Sequence, residues 1–149
     1  METIRVFLSS PGDVADERGL ARTVLAQLQK ERAFAGRLFV EEVSWDDPDN
    51  PVALDARLTP QDAINQERPK PSECDVVAVI LWSRMGTPLP DDHLKPDGTR
   101  YRSGTEWEFL DAINGAERSG QPTVWVYRRT EVPRVGLDDP RFDDITGQY

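Results

Sequence analysis

The chain has 149 residues, the length of one domain, and carries 18 Lys and Arg against 27 Asp and Glu, a formal net charge of −9. That balance argues against nucleic acid and anionic lipid as partners, because no net positive field exists to displace phosphate counterions or hold a headgroup. No apolar run reaches the roughly 18 residues of a membrane span, and the opening Met1-Glu2-Thr3-Ile4-Arg5 lacks the layout of a secretory leader, so the expected compartment is the cytoplasm.

Ile4–Leu8 is the first of four short runs rich in β-branched and aromatic residues. It runs into Ser9-Ser10-Pro11-Gly12-Asp13, a small hydroxylated turn. Asp13 is the expected N-cap of the next helix, with Asp16 and Glu17 at its positive end. Leu20, Val24 and Leu28 recur at i, i+4 and i+8, with Ala21 and Leu25 alongside, so this stripe is predicted to face the core. After the second run, Leu38–Val43, comes the linker Ser44–Leu58, rich in Asp, Pro and Asn. Thr59–Gln66 predicts a short helix, with Thr59 as cap and Pro60 at its first position.

The third run, Val76–Trp82, is continuous rather than alternating, as in a strand buried on both faces, and Trp82 is expected in the core. The linker Ser83–Arg102 contains the lone histidine, His93. Trp107, Leu110, Ala112, Ile113 and Ala116 predict a second amphipathic helix that stops near Ser119-Gly120, before Pro122. The fourth run, Thr123–Tyr127, precedes Arg128-Arg129, expected at the surface. The acidic stretch Asp138–Tyr149 reads as weakly ordered and lacks a stop signal, as in a domain cut from a longer chain.

Strands alternating with helices predict an α/β fold with a mainly parallel sheet of four to five strands. Right-handed crossovers favour a flavodoxin-like three-layer sandwich in the order 2-1-3-4. The expected domain covers 1–130, with 131–149 an acidic tail or a linker to a further module. In such sheets ligands bind outside the carboxyl ends of the strands. The turn after strand 1 and both long linkers leave from that edge.

One cysteine, Cys74, and one histidine leave no internal disulfide and too few ligands for a structural zinc site. Cys74 directly precedes an apolar run, the setting of a buried thiol rather than of a nucleophile. No metal is expected, although Asp46-Asp47 beside Trp45 offers paired acids. Chemistry is left to carboxylates, hydroxyls and backbone.

Ser9-Ser10-Pro11-Gly12 is chemically a phosphate cradle, or else an ordinary capped turn. Neither a Walker P-loop nor G-x-G-x-x-G is present. In Ser103-Gly104-Thr105-Glu106-Trp107-Glu108 two capping boxes overlap, Ser103 with Glu106 and Thr105 with Glu108, and only one can be real. If Ser103 caps, Glu108 is available for other work. A single carboxylate suffices to cleave ribose from a cationic pyridinium, because the leaving group departs neutral and only the developing oxocarbenium needs stabilising. Arg84 offers a phosphate clamp, and Trp82 a stacking surface or a core residue.

Ile4-Arg5-Val6-Phe7-Leu8-Ser9-Ser10-Pro11-Gly12-Asp13-Val14, Glu17-Arg18, Cys74-Asp75-Val76-Val77, Trp82-Ser83-Arg84-Met85-Gly86-Thr87 and Ser103–Phe109 together resemble a bacterial TIR-like family, over about Thr3 to Tyr127. Members typically head larger proteins that continue into NACHT or other STAND ATPase modules and repeats. Gly104-Thr105-Glu106-Trp107-Glu108, with Ala112 four residues on, is also similar to the nucleophile motif of nucleoside deoxyribosyltransferases and to the glutamate helix of catalytic TIR domains. That spacing matches Glu108 to the active glutamate of both.

The resemblance implies cleavage of the nicotinamide–ribose bond of NAD, as substrate rather than resident cofactor, in a signalling or defence protein triggered by self-association and a downstream ATPase or repeat module. It places the NAD pocket at Ser9–Gly12 and roughly Val43–Asp47. Ser9, Ser10, Gly12, Trp45, Arg84, Ser103 and Trp107 are the expected binding residues, and Glu108 the catalytic one. A non-catalytic self-association module and a nucleoside N-glycosidic transferase or hydrolase are the alternatives. The long linker Ser83–Arg102 and the tryptophan directly before Glu108 depart from a compact TIR pattern.

Overall fold

The computed structural model describes residues 1–44, 68–86, 88–89, 91 and 93–132. Their order is β1 (Glu2–Ser9), a 3-10 turn (Gly12–Val14), α1 (Ala15–Leu28), β2 (Leu38–Val43), a second 3-10 turn (Pro71–Glu73), β3 (Val76–Leu81), α2 (Gly104–Ser119) and β4 (Thr123–Arg128). The strands form one sheet in the order β2-β1-β3-β4, with every neighbouring pair parallel. This is the expected α/β architecture, consistent with a flavodoxin-like fold. The candidate helix Thr59–Gln66, Trp45, the acids Asp46-Asp47 and the tail Asp138–Tyr149 lie outside the described residues.

Side chains alternate across a strand, so β1 feeds two cores. Phe7 joins Val43, Cys74, Val77 and Val79 under Ala112 and Phe109 of α2. Val6 and Leu8 join Val40 and Ala78 on the opposite face, against Ala21, Leu25 and Leu28 of α1. The sheet is therefore the middle of three layers. Among the described residues no helix is long and apolar enough to cross a membrane.

The inward face of α1 keeps three of the five residues predicted for it and loses two. Ala21, Leu25 and Leu28 face the sheet as expected, whereas Leu20 and Val24 are 67% and 60% exposed. Two arginines set this rotation. Arg18 is buried and donates to Ser10 Oγ at 2.5 Å, while Arg22 reaches Glu42 Oε1 at 2.7 Å and Ser44 Oγ at 2.9 Å at the end of β2. Satisfying the buried Arg18 and the half-buried Arg22 outweighs burying two more aliphatic groups.

Asp13 does not cap α1. It sits inside the 3-10 turn, and its Oδ2 accepts from Ser83 N at 3.0 Å and Ser83 Oγ at 2.6 Å. Val14 takes the cap position without a side-chain bond. Trp82 lies past the end of β3 rather than in the core, donating from Nε1 to the Glu131 carbonyl at 2.7 Å with the Arg129 guanidinium 4.2 Å from its ring centroid. Arg129 is accordingly half-buried and pairs with Glu17 at 2.7 Å and with Glu131, so of the two arginines only Arg128 has the expected exposed setting. The stop of α2 is as predicted: Gly120 takes φ 79° and donates its N–H to Ala116 O at 2.8 Å.

Candidate functional site: the Ser9–Glu108 pair at the carboxyl edge

The overlapping capping boxes resolve in favour of Ser103. Its backbone is extended and its Oγ accepts from Glu106 N at 3.1 Å, so Gly104 is the first helical residue. Glu106 turns back over the helix start, accepting from Arg102 N at 2.5 Å and from Lys95 Nζ at 2.6 Å. Burial works against the Glu106 charge, but these two hydrogen bonds and the Lys95 ammonium outweigh it and hold the carboxyl below its ordinary value of 4.5. Glu106 is thereby committed to the Arg102 N–H and the Lys95 ammonium.

Glu108 faces the opposite way. Thr105, Glu108, Ala112 and Gly115 are the buried residues of α2, a single stripe turned to the sheet. Glu108 is 3% exposed, and its Oε2 accepts from Ser9 Oγ at 2.5 Å. Ser9 closes β1 and is itself fully buried. The bond joins the carboxyl end of β1 to the first turns of α2, at the edge where open α/β sheets hold ligands. A carboxylate removed from water needs such a donor.

Three segments meet around this pair. The turn after β1 is fixed from below by Arg18, which donates to Ser10 Oγ and, at 3.4 Å, to the Pro11 carbonyl. The segment after β3 is fastened to that turn through Ser83 and Asp13. Gly86 then passes so close to the start of α2 that an added Cβ would stand 3.2 Å from Thr105 Oγ1, 3.4 Å from Ser103 Cβ and 3.6 Å from Pro11 Cβ. At φ 107° its backbone also favours glycine. Arg84 hangs over the turn, its Nη2 3.3 Å from where a Cβ on Gly12 would lie.

Ser9, Ser10, Gly12, Arg84, Ser103 and Glu108 are thus brought to one rim of the sheet, where Ser9, Ser10, Ser103 and Glu108 are all buried. The hydroxyls of Ser10 and Ser103 already accept from Arg18 and from the Glu106 N–H, so both shape the rim. Trp107 is half-buried and points about 100° round the helix from Glu108, so adjacency in sequence does not bring them together. Trp45 lies outside the described residues, next to buried Ser44, whose carbonyl accepts from Arg68.

Residue-by-residue reading missed Arg18, Arg68 and the Asp13–Ser83 link. Arg18 carried a signal: a cation in the first turn of a helix opposes the dipole and therefore has a specific partner.

A cavity of about 110 Å³ opens between α2, β3 and β4, lined by Val79, Leu81, Met85, Thr105, Phe109 and Val126. Glu108 is not on its wall. It turns toward β1, roughly 60° round the helix axis from Thr105. Cys74 has no place in the site. It precedes β3 at the amino end, whereas His93 is two residues from Lys95, which is fastened at the start of α2. Burial pushes the Cys74 thiol up to about 12, leaving it protonated at neutral pH. Among the described residues no group of three or more His, Cys, Asp or Glu is arranged to hold a metal ion. No protein-family model matches the chain, and no curated protein matches it significantly.

Proposed function

We propose that this chain is a TIR-like domain that cleaves the nicotinamide–ribose bond of NAD, with Glu108 as the catalytic carboxylate. The supporting observation is the division of labour on α2: Ser103 and Glu106 do the capping, and Glu108 is turned instead to the carboxyl edge and held by Ser9. In this reading the C1′–N bond breaks with its electron pair going to the pyridinium nitrogen, so nicotinamide leaves neutral and needs no general acid. Glu108 faces the oxocarbenium that develops at C1′, and water completes the hydrolysis, losing its proton to the carboxylate or to solvent. The Ser9 hydroxyl fixes the orientation of the carboxylate so that little reorganisation accompanies the charge development.

The experiment is NAD turnover by the full chain, deliberately clustered at high local concentration. Wild type should release nicotinamide. Glu108→Gln should lower the rate about 100-fold or more with an unchanged circular dichroism spectrum, and Glu106→Gln should retain most of the activity. Intact NAD in the clustered wild type, or full activity in Glu108→Gln, overturns the proposal.

A second reading, a non-catalytic self-association module, is favoured by a different observation. Leu20 and Val24 on α1 and Trp125, Val126 and Tyr127 on β4 are all more than half exposed. It calls for concentration-dependent oligomers beside unaltered NAD.

A further inference from the structure

Resting on the glycohydrolase reading, we infer that Arg84 recognises a phosphate on the substrate and so restricts the Glu108 site to nucleotides over free nucleosides. Arg84 follows β3 at the carboxyl edge, and its side chain is only 26% exposed. Its Nε is buried without a hydrogen-bond partner. The nearest acid, Asp13 Oδ1, lies 4.0 Å away, beyond hydrogen-bond reach, and also lacks a partner. The other Asp13 oxygen is committed to Ser83. Asp13 therefore holds the guanidinium by charge without satisfying the Nε donor.

A guanidinium largely withdrawn from water whose buried Nε lacks an acceptor is costly, and an oxyanion with two oxygens in one plane, one on Nε and one on a terminal nitrogen, removes that cost. Arginine matches phosphate in this bidentate way, where lysine supplies a point charge. Position supplies the rest. Nη2 stands over Gly12, three residues beyond Ser9, and a side chain at that position would crowd the guanidinium. The carboxylate held by Ser9 and the cation over Gly12 thus both belong to the β1 turn, three residues apart. That polarity suits a ribose whose C1′ faces an acid and whose 5′ oxygen carries phosphate. In a chain of net charge −9, a cation set inside the rim is a specific feature rather than part of a general basic surface.

The test compares NAD with nicotinamide riboside, which has the same scissile bond but no phosphate, in clustered wild type, Arg84→Gln and Arg84→Lys. Arg84→Gln should lower kcat/KM for NAD roughly 10- to 100-fold, mainly through KM, and leave nicotinamide riboside unchanged. Arg84→Lys should fall between. ADP-ribose, which carries the phosphates without the scissile bond, should bind wild type and bind Arg84→Gln correspondingly more weakly by calorimetry.

Equal losses on both substrates with a lowered melting temperature would make Arg84 a structural partner of Asp13 and overturn the inference. Wild type that cleaves both substrates with equal efficiency would also overturn it, leaving the glycohydrolase reading intact. Wild type that cleaves neither removes the glycohydrolase reading and this inference with it.

Discussion

Glu106 and Glu108 stand two positions apart on α2, which is about 200° of rotation, and that rotation gives them opposite surroundings. Glu106 sits over the helix start among donors, and its depressed carboxyl pKa makes it a pH-dependent contributor to stability. A group whose pKa is lower in the folded than in the unfolded chain stabilises above its unfolded value and loses that contribution as pH falls through the folded one. Wild type should therefore lose stability relative to Glu106→Gln as pH drops below 4.5, the ordinary value. Thermal melts from pH 7 to pH 3 measure this. Parallel acid profiles for the two proteins would show that the Lys95 and Arg102 bonds carry no net stabilisation. The sequence alone could not decide between the two glutamates, because both boxes satisfy the same spacing rule. The outcome depends on Lys95, supplied by a loop, and on Ser9, which is distant in sequence.

At the scale of elements, strands were legible and faces were less so. The run Leu38–Val43 coincides with β2, and Val76–Trp82 overshoots β3 by Trp82 alone, because β-branched residues suit a pleated, buried surface and the flanking residues break it. The rotation of α1 was not legible. Hydropathy counts aliphatic side chains, whereas the helix turns to satisfy Arg18 and Arg22, whose partners come from the β1 turn and β2. The packing of α2 against the Pro71–Glu73 turn was equally hidden, since it depends on a side chain that is missing. A Cβ on Gly115 would lie 2.7 Å from Ser72 Cβ and 3.1 Å from its Cα. Asp111 Oδ2 accepts from Ser72 N at 2.8 Å, so this turn cannot retreat without losing a bond. Gly115→Ala should therefore destabilise by about 1–3 kcal/mol through overpacking, despite the better helix propensity of alanine. Urea unfolding measures it. A variant as stable as wild type would mean that the turn moves freely.

At the scale of the whole molecule, exposed apolar residues occur at Met1, Phe34, Phe39, Leu94 and Val132, and five more gather on one side of α1 and on both faces of β4. Trp125 pairs in register with Ala78, which belongs to the core under α1, so Trp125 and Tyr127 share that face. Val126 lines the cavity on the α2 face. On α1, Glu17 reaches across to Arg129, just beyond β4, and Leu20 and Val24 follow Glu17 at i+3 and i+7 on the same stripe. Among the described residues no strand pairs with the outer edge of β4. Its six residues, Thr-Val-Trp-Val-Tyr-Arg, have strong β propensity and only one charge, at the end, with none of the lysines, prolines or bulges that blunt an edge strand. A helix laid on the sheet would cover only one of the two exposed faces, whereas an added strand covers both. A second copy would supply one: two β4 strands joined antiparallel about Val126 would set each Arg128 against a Val124 and each Trp125 against a Tyr127, with no like charges opposed. The pair Trp125→Lys and Tyr127→Lys should therefore shift the chain toward monomer in sedimentation velocity at concentrations where wild type associates. The variant should keep its melting temperature, because neither residue is buried. If NAD turnover needs clustering, turnover in free solution should fall together with association and recover when the variant is clustered artificially. Association of the variant equal to that of wild type would remove β4 as the contact and leave the two functional readings to be separated by Glu108 alone.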